Sequence, residues 1–272
     1  MRLDLHIHTT ASDGSWSPEA VVHGAAAGGL DVIAITDHDT TGGVERARVA
    51  AAKLNVQVVA GIEVSASHAR HDVHVLGYWV DASSTALVAY TERAARRREE
   101  RMREMLERLG AAGISLDLES VERAAGPDRG VIGRPHLAAA LVEAGYVSSV
   151  SDAFNRLIGD ENEAFVPTSL LDPVGAVGLI VETGGIPIWA HPPVELLDTL
   201  LPVMREAGLR GLEVYRPRGR RGDIVRFEVI CRSEGLLMSG GSDWHKPDFG
   251  AALGDFFVDA DEVAGLLEAG GL

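Results

Sequence analysis

Several features that define common protein classes are missing from this 272-residue sequence. The single cysteine, Cys231, excludes a disulfide framework and favours a reducing compartment. No apolar run has the length that a bilayer-crossing helix needs, so we expect no membrane partner. Acidic residues outnumber basic ones by 40 to 25, and a net charge of −15 provides no positive field for coating nucleic acid. We therefore expect a cytoplasmic protein without a leader peptide.

The sequence does contain an alternation of short apolar runs with alanine-rich helical runs. Helical patterns at residues 17–29 and 42–55 separate the first apolar runs, and Ser17 followed by Pro18 is typical of a helix start. Such alternation predicts a parallel sheet or a barrel of β/α units. The predicted strands are residues 2–8, 31–38, 56–66, 72–80, 186–191, 210–215, 236–243 and 255–258.

The alternation stops between residues 82 and 165, where nearly every segment has a helical pattern. We interpret residues 82–165 as a helical insertion, or cap, in an α/β barrel formed by residues 1–81 and 166–272. The insertion contains a tract of mixed charge, "RRREERMRE", at residues 96–104. The alternation of sign favours a solvent-exposed helix face over a nucleic-acid-binding one.

Imidazole and carboxylate side chains stand where the predicted strands end. His6 and His8 point to the same side of the first strand, because side chains two residues apart share a face. His38 ends the second strand and Glu63 the third. Active sites of β/α barrels form at the C-terminal ends of the strands, so these groups are expected to meet there. Later strand ends contribute His191 in "AHPP" and Asp243 and His245 in "GGSDWH".

His74 opens a strand pattern rather than closing one. Residues 61–78 have the pattern of a hairpin, and in an antiparallel pair the start of the second strand lies beside the end of the first. His74 is therefore predicted to lie near Glu63. Taken alone, each of these residues, like Asp13 in "SDGSWSP", is typical of a turn or a helix cap. Together they form a His, Asp and Glu set that suits Mn²⁺, Zn²⁺ or Fe²⁺ and exceeds the needs of one tetrahedral ion, so a multinuclear site is predicted.

These motifs together resemble the PHP family, named for polymerase and histidinol phosphatase domains. The resemblance implies a distorted seven-stranded β/α barrel with a trinuclear centre of divalent ions. Mn²⁺ is the metal expected, with Fe²⁺ or Zn²⁺ as alternatives. The segment "IGRPH" at 132–136 resembles the branch that hydrolyses nucleoside 3′,5′-bisphosphates, some members of which trim short RNA from its 5′ end. The motifs are "DLHIHTTASDG", "AITDHDT", "GIEVS", "HVLGY", "AHPP" and "GGSDWH", between residues 4 and 245.

The resemblance also implies three sets of metal ligands, which are the predicted catalytic residues. Two or three ions a few ångströms apart activate a hydroxide for attack on phosphorus and neutralise the charge of the phosphoryl oxygens. Glu63 is expected to bridge two of the ions. The sets are His6, His8, Glu63 and Asp243; Glu63, His74 and His191; and Asp13, His38 and His245.

Arg134 and His136 are the predicted substrate contacts from the insertion. Arginine binds phosphate oxygens in a bidentate manner, and the helix that starts at Pro135 presents its N-terminus to an anion. The alternative is that Arg134 pairs with a carboxylate while His136 caps the helix. Glu213, which ends the strand "GLEVY", is predicted to contact a base or ribose.

Two further features have open interpretations. Asp37 either orients a neighbouring imidazole or forms a turn. The basic loop "RPRGRRG" at residues 216–222 either guides a phosphodiester strand or faces solvent without a role. Its arginines are Arg216, Arg218, Arg220 and Arg221.

The leading hypothesis is a metal-dependent phosphoesterase that converts adenosine 3′,5′-bisphosphate and similar nucleotides to 5′-monophosphate and phosphate. A 5′→3′ exonuclease activity on short 5′-phosphorylated RNA is a further expectation, without a stable nucleic-acid complex. The alternatives are a phosphatase for another small ester such as histidinol phosphate, and a non-catalytic metal-binding module. An amidohydrolase with a bridging carboxylated lysine is disfavoured, because neither Lys53 nor Lys246 stands at a ligand position. The oligomeric state and base preference stay open.

Overall fold

The computed structural model describes residues 1–69, 71–127, 129–168, 170–217, 219–247 and 252–272. It is a mixed α/β fold in which eight strands form one sheet. The strands are β1 (Arg2–Ile7), β2 (Val32–Ile35), β3 (Gln57–His68), β4 (His71–Tyr78), β5 (Ile186–Trp189), β6 (Gly211–Tyr215), β7 (Leu237–Gly240) and β8 (Val258–Asp259). All eight overlap predicted strands, although β8 shares only Val258 with the predicted residues 255–258.

The helices fall between these strands and in one long excursion after β4. The helices are α1 (Pro18–Ala27), α2 (Val44–Ala51), α3 (Thr85–Ala111), α4 (Leu118–Ala125), α5 (Arg134–Glu143), α6 (Val150–Ala153), α7 (Pro173–Glu182), α8 (Leu197–Glu206), α9 (Arg221–Glu234) and α10 (Ala264–Gly270). A π-helical turn at Phe154–Ile158 follows α6, and short 3₁₀ turns precede α8 and α10. None of the described helices is long and apolar enough to span a bilayer.

The sheet curves into a nearly closed barrel. Its strand order is β7-β6-β5-β4-β3-β2-β1-β8, and β1 to β7 form the wall. Ile7 at the end of β1 bridges to Trp244 beyond β7, with the His8 N–H donating to the Trp244 carbonyl at 2.9 Å. The two-residue β8 lies antiparallel on the start of β1. The predicted α/β barrel is therefore confirmed.

One reversed strand interrupts the parallel order of the wall. β4 runs antiparallel to both β3 and β5, whereas the other wall pairs are parallel. Residues Gly61 and Tyr78 pair at one end of the β3–β4 hairpin, and Ser65 pairs with His74 near the other. The hairpin prediction is confirmed, and it brings the start of β4 to the mouth where the parallel strands end.

Two apolar clusters share helix α3. The barrel cluster contains Leu87, Tyr90 and Ala94 from the first half of α3, while Met102 and Met105 from its second half belong to a cluster built from α3 to α6. Helix α3 therefore connects the barrel to the helical excursion through apolar packing on both sides. The division at residues 82 and 165 stays a prediction.

Candidate metal centre

Strands β1 and β3 and the segment after β7 bring four ligand atoms together. The Nε2 atoms of His6 and His8, both fully buried, lie 3.1 Å apart. Glu63 Oε2 lies 3.3 Å and 3.2 Å from them, and Asp243 Oδ1 lies 3.4 Å and 3.3 Å from them. Four ligands about 2.0–2.1 Å from one ion in a tetrahedral array stand roughly 3.3–3.4 Å from one another. Five of the six distances between these atoms match that spacing, and His6, His8 and Asp243 form a group that could hold a divalent ion, with Glu63 beside both imidazoles.

The other oxygen of Glu63 belongs to a second group. Glu63 Oε1 lies 3.1 Å from His74 Nδ1 and 3.1 Å from His191 Nε2, and these two nitrogens are 3.3 Å apart. Three atoms at this spacing fit one face of the same tetrahedral array, which leaves the fourth position for water or substrate. Glu63 therefore has the geometry of a carboxylate that bridges two ions.

A third group surrounds Asp13. Its Oδ1 lies 3.3 Å from His245 Nε2 and 3.7 Å from His8 Nδ1, and its Oδ2 lies 3.9 Å from His38 Nε2. His38 also turns Nδ1 to within 3.1 Å of Glu63 Oε2, so it stands between this group and the central carboxylate. Eight of the nine predicted ligands therefore form groups that could hold a metal ion, with His8 added to the third group, and His191 lies against Glu63 and His74. Their assignment to individual ions stays a prediction.

The polar atoms at the centre of the cluster fit bound cations. Glu63 Oε2 and His38 Nδ1 are buried without a well-aligned hydrogen bond to a described residue, although Oε2 lies within 3.3 Å of imidazole nitrogens of His6, His8 and His38. Leaving a buried carboxylate oxygen without a partner costs free energy, and a divalent ion supplies the missing interaction. The donor set of imidazoles and carboxylates suits Mn²⁺, Fe²⁺ and Zn²⁺. The residues present therefore fit divalent metal ions.

The electrostatics of the cluster also favour cation binding. Burial alone raises the pKa of the Glu63 carboxyl, but the imidazoles of His38, His6 and His74 hold it well below its ordinary value. Burial lowers the pKa of His38 to about 3, which keeps this ring neutral and able to act as a ligand. Burial acts in the same direction on His8, but its hydrogen bonds to Asp243 and Glu63 raise its pKa to about 10. A cation at the first group therefore competes with a proton on His8.

Unusual backbone conformations aim two of the candidate ligands. Asp243, after β7, has φ of 53°, and His191, after β5, has φ of 30°, so both occupy the left-handed region that favours glycine. At Gly241 a side chain has no room, because a Cβ atom would lie 2.4 Å from the backbone nitrogen of His6. The segment after β7 thus approaches β1 closely and turns the Asp243 carboxylate into the cluster.

Glu213 lies behind the cluster rather than at its open face. Its side chain is fully buried, Oε1 lies 2.7 Å from His6 Nδ1, and Oε2 accepts the His191 N–H at 2.7 Å. Both oxygens are therefore engaged within the protein, and a contact of Glu213 with a base or ribose stays a prediction. A carboxylate on the second nitrogen of a ligating imidazole fixes its tautomer and orientation, and Glu213 has this geometry toward His6.

Asp37 fixes a loop rather than an imidazole. Its Oδ1 accepts the Thr9 N–H at 2.7 Å and the Ser12 hydroxyl at 2.6 Å, and its Oδ2 accepts the Thr9 hydroxyl at 2.8 Å. The interpretation of Asp37 as a hydrogen-bond partner of a neighbouring imidazole is therefore wrong. Its contacts hold the segment that leads from His8 to Asp13.

Three arginines line a pocket beside the cluster, together with Asp13, His38, His74 and His245. Arg98 Nε donates to Asp39 Oδ2 at 2.7 Å and its Nη2 to Ser65 Oγ at 2.9 Å. Arg101 and Arg134 share Asp72 Oδ2 at 3.2 Å and 3.1 Å. Arg98 and Arg101 are each only 5% exposed, so the prediction of a solvent-exposed face at residues 96–104 is wrong for both.

A signal for these buried arginines exists in the sequence. Positions 98 and 101 continue the apolar stripe of α3 with the three- and four-residue spacing of one helix face. A charged residue within an apolar stripe is typical of a buried ion pair or a binding site rather than of a wet surface. The stripe comprises Leu87, Tyr90, Ala94, Met102, Met105 and Leu109.

Arg134 and His136 make the contacts that the alternative interpretation described. Arg134 pairs with Asp72 and also with Asp160 at 2.5 Å. His136 Nδ1 accepts the Gly133 N–H at 3.0 Å and so caps α5. Arg134 also lines the pocket beside the cluster, so its contact with substrate stays a prediction, as does that of His136.

Comparison with known proteins places this site in a family. The sequence profile of the PHP domain matches residues 4–145, more than half of the chain. The chain belongs to the PHP family. In this chain the ligand cluster occupies the mouth of the barrel, on strands and strand ends from both halves of the sequence.

Three curated relatives match most of the chain. A 3′,5′-nucleoside bisphosphate phosphatase of Chromobacterium violaceum is 35% identical, with 91% of this chain and 88% of the relative covered. A 5′-3′ exoribonuclease of Haemophilus influenzae is 36% identical, with 98% of both chains covered. A phosphoribosyl 1,2-cyclic phosphate 1,2-diphosphodiesterase of Eggerthella lenta is 37% identical, with 89% and 93% covered.

A solved structure from Bifidobacterium adolescentis, described as a metal-dependent phosphoesterase, has a TM-score of 0.85 and 31% identity. It covers 98% of this chain, and 96% of its own length is matched. Family, relatives and structural neighbour agree on one chemistry, the hydrolysis of phosphoric esters. This PHP protein is a metal-dependent phosphoric ester hydrolase.

Proposed function

We propose that the enzyme removes the 3′-phosphate of nucleoside 3′,5′-bisphosphates and releases the nucleoside 5′-monophosphate. One observation carries the proposal: a single pocket contains both candidate metal ligands and the guanidinium groups of Arg98, Arg101 and Arg134. Substrates with two phosphates suit such a pocket, because one phosphate lies at the metal cluster and the other at the arginines.

The arginine side of the pocket is suited to a phosphate dianion. Arg101 and Arg134 converge on one oxygen of Asp72, so their guanidinium groups already point toward a common acceptor. Asp72 Oδ1 is buried and accepts no hydrogen bond from a described residue. Guanidinium groups held in this way bind phosphate with little loss of side-chain entropy. We propose that Arg134, with His136 at the same helix start, binds the 5′-phosphate.

We propose that the nine ligands of the cluster hold three divalent ions, with Mn²⁺ as the preferred metal. When bound, such ions activate water near neutral pH and neutralise charge on the phosphoryl oxygens. The residues themselves set the geometry: Glu63 connects two ligand groups, Glu213 orients His6, and Asp37 holds the segment before Asp13. Arg98 of helix α3 lines the pocket beside these ligands.

The names of two relatives describe the same bond cleavage. Hydrolysis of a 3′-phosphate and removal of a 5′-terminal nucleotide from RNA both break the bond between phosphorus and O3′. In each case the product is a nucleoside 5′-monophosphate. We therefore include a 5′→3′ exonuclease activity on short 5′-phosphorylated RNA, with residues 82–165 as the cap that contributes substrate contacts. The cytoplasmic location expected from the single cysteine stays a prediction.

A cyclic phosphodiester of ribose is a second candidate substrate. The Eggerthella lenta relative, named for a phosphoribosyl 1,2-cyclic phosphate, is 37% identical to this chain. That compound and a nucleoside bisphosphate share one feature, a ribose that carries two phosphorus centres. The assay therefore contains both compounds.

The test compares adenosine 3′,5′-bisphosphate, adenosine 3′-monophosphate and the ribose cyclic phosphate, each with Mn²⁺-loaded protein, by phosphorus NMR. We expect preferential release of the 3′-phosphate from the bisphosphate. Arg134→Gln should lower its kcat/KM roughly 10- to 100-fold, because a charge-assisted hydrogen bond to the 5′-phosphate is lost, and should leave the 3′-monophosphate rate nearly unchanged. The control is Arg123→Gln, an exposed arginine of α4 that removes the same charge.

Two outcomes contradict the proposal. Faster hydrolysis of the cyclic phosphate than of the bisphosphate would assign the enzyme to the second candidate. Equal loss on both adenosine substrates in Arg134→Gln would show that the arginine does not read the 5′-phosphate.

A further inference from the structure

A second recess opens on the ligand cluster from another side. Its cavity of about 720 Å³ is much larger than the arginine pocket, at about 130 Å³, and has the size of a small-molecule site. Asp243 and His245 line it, and His245 also lines the arginine pocket. The candidate metal ligands therefore lie between two recesses. We call the larger one the Trp244 groove, after one of the residues that line it.

Two cations from different segments line the Trp244 groove. Arg216 follows β6 and Lys246 follows the turn after β7. Neither forms an ion pair with any residue that the structure describes. The other basic residues of the loop do not line the groove: Arg220 and Arg221 are exposed at the start of α9, and Arg218 lies outside the described residues.

The acidic residues of the groove have internal partners. Asp4 Oδ1 accepts the backbone N–H groups of Ser242 at 2.8 Å and His6 at 3.3 Å. Asp255 Oδ2 accepts the Ala252 N–H at 2.6 Å. Asp243 also lines the groove, and Asp4 Oδ2 is buried without a hydrogen bond in the described structure. Arg216 and Lys246 are the lining cations, and they can meet an anionic ligand although the chain as a whole carries −15.

A nucleoside bisphosphate does not need this groove, but an RNA chain does. In RNA the scissile phosphorus carries the first nucleotide through O3′ and the second through O5′. Water bonds to phosphorus, the bond to O3′ breaks, O3′ takes the proton, and the phosphate stays on the second nucleotide. With the first nucleotide's 5′-phosphate at the arginine pocket, the second nucleotide must leave the cluster by another exit.

We propose that the Trp244 groove binds the second nucleotide of a single-stranded RNA substrate, with Arg216 and Lys246 on the next phosphate along the chain. This inference rests on the exonuclease part of the proposed function. Phe256 and Pro217 also line the groove and offer apolar surface to the base. Base stacking on such surfaces tolerates any sequence, so the groove selects for an RNA chain rather than for a particular base.

The experiment measures kcat/KM for two substrates, adenosine 3′,5′-bisphosphate and 5′-phosphorylated tetra-adenylate, with Mn²⁺-loaded full-length protein. The test variant is Arg216→Ala/Lys246→Ala. The control variant, Arg220→Ala/Arg221→Ala, removes the same charge from exposed positions outside the groove. We expect the ratio of the RNA value to the bisphosphate value to fall about tenfold or more in the test variant alone.

The salt dependence separates phosphate contacts from a structural effect. Each cation removed from a single-strand contact should flatten the slope of log kcat/KM for RNA against log salt by about 0.7. An unchanged ratio, an unchanged slope or an equal loss in both variants would overturn the proposal. If the wild-type protein hydrolyses neither the bisphosphate nor the RNA, the proposed function itself is refuted.

Discussion

Among single residues, Glu63 has the largest role in the cluster. Its side chain is 1% exposed, and its two oxygens lie within 3.3 Å of imidazole nitrogens from five histidines. No other described carboxylate takes part in two of the three ligand groups with separate oxygens. Removing it therefore has a different consequence from removing a ligand of one group. The five histidines are His6, His8, His38, His74 and His191.

Substitution of Glu63 should reduce metal stoichiometry more than substitution of Asp243. Glu63→Gln removes a charged ligand from two groups, whereas Asp243→Asn removes one from the first group alone. We expect the Mn²⁺ content of purified protein, measured by elemental analysis after dialysis, to fall by at least two ions per chain in Glu63→Gln and by one in Asp243→Asn. Equal stoichiometry in the two variants would contradict a bridging role.

Metal binding should release protons near neutral pH. The pKa of His8 is about 10 in the metal-free protein, because hydrogen bonds to Asp243 and Glu63 outweigh burial, so His8 carries a proton at pH 7.5. Titration calorimetry in two buffers of different ionisation enthalpy should show release of about one proton or more per chain. Identical binding enthalpies in the two buffers would refute this expectation.

The raised pKa of His8 also predicts a pH dependence of metal-free stability. A folded pKa above the unfolded value of about 6.5 stabilises the fold fully below that pH, and the contribution is lost as the pH rises through 10. Urea unfolding of chelator-treated protein should therefore show a lower free energy of unfolding at pH 9.5 than at pH 6.5. A Mn²⁺-saturated sample, in which His8 has no proton to lose, is the control.

The ligand positions are predictable from the sequence because strand ends impose them. Imidazoles and carboxylates at or just after the ends of β1, β2, β5 and β7 have one place to meet, the mouth of the barrel, where Glu63 also lies although β3 continues beyond it to His68. Glu213 shows the limit of that argument. It also ends a strand, but the sequence does not reveal that β6 places it one layer deeper, against His6.

At the scale of secondary structure, α3 determines how the barrel meets the helical excursion. Asp39, which follows His38, accepts hydrogen bonds from the Tyr90 hydroxyl and from Arg98, so one helix is attached to the cluster at two points. Burial raises the pKa of Asp39, but the charge of Arg98 outweighs it and holds that pKa below its ordinary value. The pair is nearly inaccessible to solvent.

Removal of Arg98 should destabilise the protein strongly. Arg98→Met leaves the carboxylate of Asp39 buried without its cation, which typically costs about 3–5 kcal/mol. Chemical denaturation would measure the loss in the free energy of unfolding. The matched control is Arg103→Met on the exposed face of the same helix, where a surface ion pair contributes about 1 kcal/mol or less.

A second variant distinguishes the buried charge from lost packing. Arg98→Met/Asp39→Leu removes both charges, and its destabilisation should be smaller than the sum of the two single losses. Additive losses would show that Arg98 acts through packing alone. The interpretation of residues 96–104 as a solvent-exposed face is wrong for Arg98 because the carboxylate that pairs with it in the interior, Asp39, is remote in sequence.

For the whole molecule, the barrel closes where the candidate ligands converge. The bridge between Ile7 and Trp244 joins the first wall strand to the segment after the last, and His6, His8 and Asp243 flank that seam. Ions bound there connect segments from opposite ends of the chain. Binding to the folded state alone stabilises it by linkage.

Mn²⁺ should therefore raise the thermal stability of the protein. At a free concentration about 100-fold above Kd, one site contributes about 2.7 kcal/mol, which corresponds to a Tm increase of roughly 5–10 °C for a chain of this size. Differential scanning fluorimetry with and without a chelator measures the shift. Glu63→Gln should lose most of it, and a full shift in that variant would place the stabilising ions elsewhere.

The left-handed backbone at His191 and Asp243 lowers the stability of the barrel at two candidate metal ligands. Each such residue costs on the order of 1–3 kcal/mol, and glycine adopts the same conformation without that cost. Glycine at position 243 would therefore relax the rim and at the same time remove a carboxylate from the cluster. Selection for stability and selection for chemistry pull in opposite directions at these two positions. A descendant of this chain freed from its chemistry would be expected to acquire glycine there first, and it would keep the barrel.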